Sequence, residues 1–124
     1  MAAASAGLHE PEDRLSDATV DVHRALVSIM EELEAVDWYH QRAVATRDPD
    51  LAAILVHNRD EEKEHAAMML EWVRRRDPVL DRHLRTYLFT GGSIVEEEHE
   101  AEAGDGQGVS GSLNVGSLRG ETLA

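Results

Sequence analysis

Apolar residues return every seven positions early in the chain, at Leu15, Val22, Ile29, Val36 and Ala43, and Leu26 and Leu33 fill the same face. The recurrence is helical. With Pro11 suited to a first turn, it predicts one helix over about residues 12–46. Asp48-Pro49 then reads as an N-cap followed by proline at the first helical position, where its missing N–H costs nothing. The second helix runs to Arg74-Arg75-Arg76, cations at the negative end of the helix dipole. Asp77-Pro78 repeats the start signal for a short third helix ending near Thr90, with Gly91-Gly92 as the stop. Ser93 and Glu96 resemble a capping box and predict a brief acidic helix over residues 94–103. No stretch alternates with period two, so the fold class is all-α. Two long helices joined by so short a connection pack as an antiparallel hairpin. One hairpin cannot cover both apolar faces, so two subunits are expected to pair into a four-helix bundle.

The apolar stripe is broken in three places. Glu32 lies three residues after Ile29 and four before Val36, on the inward face of the first helix. On the second helix the stripe reads Leu51, Leu55, Asn58, Glu62, His65, Met69, Trp72, so Glu62 and His65 point where core residues belong. A register rotated by one position would turn Glu61 or Glu64 inward instead. An unpaired buried carboxylate is costly, and divalent metals that bind oxygen and imidazole would compensate three such groups. Glu62 and His65 form Glu-x-x-His, whose spacing puts both side chains on one helix face. Di-iron carboxylate proteins built on four-helix bundles use two such motifs plus a glutamate from each of two further helices. This chain carries half of that set, and a two-fold related copy would complete it. A second face, at helical spacing, holds His57, Glu61 and Glu64, either an outer metal site or simply a solvated face.

Composition narrows the chemistry. The 124 residues hold 12 Lys and Arg against 25 Asp and Glu, a formal charge of −13. That balance argues against nucleic acid and against anionic membrane surfaces as partners, and suits a protein that attracts cations. The absence of cysteine removes disulfides, thiolate zinc sites and iron–sulfur clusters. No run of eighteen apolar residues spans a membrane, and the start Met1 to Gly7 lacks the pattern of a signal peptide. Four zones follow: a leader over residues 1–10, a helical domain over 11–90, an acidic segment over 91–103, and a Gly/Ser-rich linker over 104–124.

The stretch from Ser28 to Tyr39, SIMEELEAVDWY, followed by Asn58 to Met68, NRDEEKEHAAM, resembles the encapsulated ferritins, and the likeness extends to Arg85-Thr86-Tyr87-Leu88-Phe89-Thr90. The resemblance implies a helical hairpin with a short third helix, paired into a ferritin-like four-helix unit, with five pairs in an open decameric ring. It implies that Glu32, Glu62 and His65 of both chains hold two irons at the interface, as catalytic and metal-binding residues of a ferroxidase oxidising Fe(II) with dioxygen. It places the aromatics Trp38 and Tyr39 near the iron path, interface packing being the alternative, and gives Glu31 and Glu34 as an entry site. The ring encloses no storage cavity, so the mineral is kept in a surrounding encapsulin shell, in a bacterial or archaeal cytoplasm. A metal buffer with the same ligands and no turnover, or a helical adaptor whose polar residues specify pairing, are the competing readings.

The tail carries a signal of its own. Residues 111–119 repeat Gly-Ser-Leu after five positions, and Leu113, Val115 and Leu118 are spaced apolar anchors on a flexible string, suited to docking in a groove. The segment is similar to the targeting peptides that load cargo into encapsulin shells. Residues 120–124 extend beyond it.

Overall fold

A computed structural model describes residues 6–108, with side chains through Gly104. The tail anchors Leu113, Val115 and Leu118 lie outside the described residues. The described residues fall into two units, divided between Arg76 and Asp77.

In the first unit, α1 spans Asp17–Ala45 and α2 spans Pro49–Arg74. The first helix starts later than the hydrophobic recurrence predicts. Pro11 opens only a single 3-10 turn over Glu12–Arg14, and Leu15 is extended. The α-helix begins after Ser16, whose hydroxyl accepts from the Thr19 backbone N–H at 3.1 Å and satisfies one otherwise orphaned donor. The start of α2 is where Asp48-Pro49 puts it: Asp48 Oδ1 accepts from the N–H groups of Asp50 and Leu51 at 2.9 and 3.3 Å.

Contacts across the hairpin give its direction. Glu32 meets His65, while His40, eight residues further along α1, meets Arg59, earlier in α2. The helices therefore run antiparallel. The predicted seam residues Leu15, Val22, Ile29, Val36 and Ala43 are half-buried, as are Leu55, Asn58, Glu62, His65, Met69 and Trp72. Full burial is scarce. Val20, Ala25, Ala66 and Val73 are the buried apolar residues among those described, and no large side chain is completely buried. Leu26, Leu33, Ile54 and Met68 are 46, 54, 57 and 57% exposed, an apolar surface that one hairpin leaves uncovered.

The end of α2 is tied by charge. Glu71 accepts from Arg74 through two bonds of 2.7 and 2.8 Å and from Arg75 Nε at 2.7 Å. These guanidiniums hold the Glu71 carboxyl at about 2, below its ordinary 4.5. A carboxyl depressed on folding stabilises the protein above its unfolded value, and the contribution is lost as pH falls from about 4.5 through 2. Glu71→Gln is therefore expected to flatten the loss of helix signal between pH 5 and 2.5 in circular dichroism while changing little at pH 7. Its exposure keeps the effect small, and an unchanged acid profile would remove Glu71 from the account.

In the second unit, α3 spans Pro78–Tyr87 and α4 spans Ile94–Gly108. Asp77 caps α3 through the Leu80 N–H at 2.9 Å. The helix ends before the predicted Thr90, and the glycines do not make the stop. Leu88 is already extended and Phe89 takes φ 64°, the left-handed region usually left to glycine. The Thr90 hydroxyl donates to the Tyr87 carbonyl at 2.8 Å and satisfies one terminal acceptor. Ser93 Oγ accepts from the Glu96 N–H at 3.3 Å, one half of a capping box. Helix α4 runs past the predicted residue 103, although each glycine in its last turns costs about 1 kcal/mol relative to alanine. Burial, with Glu98 and Glu102 nearby, pushes the Tyr87 phenol up.

Candidate metal centre

The hairpin register brings three of the stripe-breaking residues together. Glu32 comes from the middle of α1, and Glu62 and His65 from one face of α2. Their nearest ligand atoms all lie within 4.8 Å of one another. His65 Nδ1 is 3.2 Å from Glu62 Oε1 and 3.6 Å from Glu32 Oε1. The carboxylate side chains are 26 and 23% exposed and the imidazole 43%, so the cluster is sunk in the hairpin surface with one side open. Among the described residues it is the one group of three or more potential ligands gathered in this way. Glu61 and Glu64 are exposed, so the alternative register, with one of them inward, does not occur.

The three groups perturb one another's proton affinity. Hydrogen bonding between the two carboxyls, with partial burial, raises Glu32 above the usual carboxylate range. Glu62 receives that bond and, with His65 beside it, is lowered. His65 is raised, first by its hydrogen bond to Glu62 and then by the charges of Glu32, Glu62 and Glu61. Two acceptor groups this close stay together by sharing a proton and by the imidazole N–H. A divalent metal would satisfy all three groups at once, with donors suited to a hard or borderline ion. The residues fit such an ion.

Comparison with known proteins places the chain. The model of the EncFtn-like family matches residues 7–91. The chain belongs to the EncFtn-like family. It is 56% identical over 131 residues to the encapsulated ferritin-like protein of Rhodospirillum rubrum, covering 98% of this chain and 94% of the other. It is 37% identical over 104 residues to the encapsulin nanocompartment cargo protein EncC of Myxococcus xanthus, covering 75% and 80%. The crystal structure of protein ne0167 from Nitrosomonas europaea is similar with a TM-score of 0.70 at 61% identity, covering 71% of this chain and 97% of that one.

The other candidate residues of this EncFtn-like chain are placed as follows. Trp38 is 49% exposed and lines a shallow depression with Gln41 and Arg42. Tyr39 is half-buried, with the Arg42 guanidinium 5.7 Å from its ring centroid. Glu31 is exposed and Glu34 half-buried. His57, Glu61 and Glu64 are all exposed along α2. One cross-helix contact has no counterpart in the sequence reading: an Arg59 guanidinium nitrogen donates to His40 Nδ1 at 3.1 Å. The local signal for it is that Arg59 lies one turn before Glu62 on the same face. Its partner on α1 depends on the register of the hairpin, which the sequence does not spell out.

Proposed function

We propose that this protein is a ferroxidase whose centre is completed by two chains, and that it works as cargo of an encapsulin shell. The observation that carries the reading is the convergence of Glu32, Glu62 and His65 on an open side of the hairpin. A two-fold axis beside that opening would give four carboxylates and two imidazoles, the donor set of di-iron four-helix proteins. The uncovered apolar residues Leu26, Leu33, Ile54 and Met68 supply a reason for a second hairpin to sit there.

Charge accounts for what the centre does with its substrate. Two carboxylates per chain give −4 per pair, which balances two Fe(II) ions. Fe(III) gains more than Fe(II) from the same anionic oxygens, because the attraction scales with ionic charge. The donor set therefore favours loss of one electron from each iron, dioxygen being the oxidant. His65 adds a nitrogen donor, and Glu62, 3.2 Å from His65 and close to Glu32, would be the candidate to bridge two ions. Five such pairs in a ring, with product iron passed to the shell interior, complete the proposal. The names of the two encapsulated relatives support the shell as destination, and the doubled Gly-Ser-Leu of residues 111–119 makes that segment the one proposed to dock there.

Native mass spectrometry with Fe(II) added under anaerobic conditions tests the centre. The expected result is two irons per pair of chains. Iron held by single chains, or by no oligomer, would defeat the shared site. Admitting oxygen should then consume it in step with Fe(II), whereas binding without oxygen uptake would make the protein an iron buffer.

A further inference from the structure

Arg59 bridges both helices of the hairpin. Its Nε donates to Asp60 Oδ1 at 2.9 Å and a terminal nitrogen donates to His40 Nδ1 at 3.1 Å. The side chain is only 20% exposed, and Asp60 is held in turn by Lys63 at 3.2 Å. His40 stands on α1 eight residues beyond Glu32, and Arg59 stands on α2 one turn before Glu62. The bond therefore crosses the same seam that brings Glu32 to Glu62 and His65. We propose that Arg59 is a positioning residue for the metal centre, clamping α1 to α2 through neutral His40 so that Glu32 stays within reach of Glu62 and His65.

Three properties make the clamp specific. The seam holds few fully buried side chains, so a directional bond between helices has more influence on their spacing than it would in a thick core. A guanidinium presents several donors in a fixed plane and can hold Asp60 and His40 together, which an ammonium on a flexible stem does poorly. Arginine has no acceptor, so the bond requires a lone pair on His40 Nδ1. Protonating His40 would put cation against cation. Arg59 contacts His40 directly, the charged chain continues on α2 from Arg59 to Asp60 and Lys63, and Asp37 lies three residues earlier on α1. A proton placed on Nδ1 therefore opens the clamp.

The inference rests on the metal reading of the Glu32 cluster, and the test separates the two. Full-length wild type, Arg59→Met, Arg59→Lys, His40→Asn and the double variant Arg59→Met/His40→Asn are compared in anaerobic Fe(II) binding at pH 7.5. Metal-free thermal unfolding is followed from pH 7.5 to 5.5. Asparagine places a carbonyl oxygen near the position of Nδ1 and does not titrate. The clamp predicts roughly fivefold weaker Fe(II) binding in both arginine variants, with affinity retained in His40→Asn. It also predicts that wild type loses more thermal stability than His40→Asn on acidification, a difference that vanishes when Arg59 is methionine. Wild-type affinity in both arginine variants, or parallel pH profiles for wild type and His40→Asn, would overturn it. If wild type itself binds no iron, the metal reading fails, while the unfolding profiles still decide whether the clamp exists.

Discussion

Replacing Glu62 with alanine is expected to empty the proposed two-chain iron centre without unfolding the protein. Glu62 lies beside both other members of the trio, 3.2 Å from His65 Nδ1 and with its ligand atom within 4.8 Å of that of Glu32. Its loss takes a pair from six protein ligands to four and removes two negative charges. Iron per pair should fall from two to none in native mass spectrometry, and oxygen uptake on adding Fe(II) should drop by on the order of a hundredfold or more. Helix content should hold, since the position is partly exposed and alanine is the best helix former. Removing one of two carboxyls forced together also relieves the metal-free chain of a repulsion, so its melting temperature should not fall. Two irons retained, or oxidation at the wild-type rate, would sink the assignment.

Deleting residues 111–124 is expected to have the opposite profile. Iron binding and oxidation should be unchanged, because every proposed ligand lies on the hairpin. Loading into the shell should be lost when the truncated chain is co-expressed with the shell protein and the assembled shells are isolated. The three anchors Leu113, Val115 and Leu118 each contribute at most about 1.5–3 kcal/mol on burial, and ordering a flexible tail offsets much of that. A single tail would therefore bind weakly, and a ring presenting many tails would bind through avidity. Truncated protein found inside shells at the full-length level would move the docking surface onto the helices.

Local chemistry made much of this legible in advance. Asp48-Pro49 and Asp77-Pro78 mark the two observed helix starts because an aspartate cap and a proline at the first helical position act within one turn. The cluster could be found because Glu32, Glu62 and His65 occupy positions where the periodicity demands apolar residues. The rest depended on competition or on register. Pro11 loses the start of α1 to Ser16, whose hydroxyl reaches the Thr19 N–H. Gly91-Gly92 loses the end of α3 to Phe89, which takes a left-handed turn that no propensity assigns to phenylalanine. His40 and Arg59 are nineteen residues apart in sequence, and nothing local announces that they meet.

The thin core of the hairpin, resting on Val20, Ala25, Ala66 and Val73 among the described residues, has a consequence for a chain that has met no partner. If the second hairpin supplies the missing burial, the folded fraction depends on protein concentration, and dilution acts on this chain much as heat does. A newly made copy that meets no partner presents leucine and methionine side chains to proteases and chaperones. Abundance then sets a threshold: below it the chains are degraded, and above it pairing protects them, so incomplete centres seldom persist long enough to reach iron.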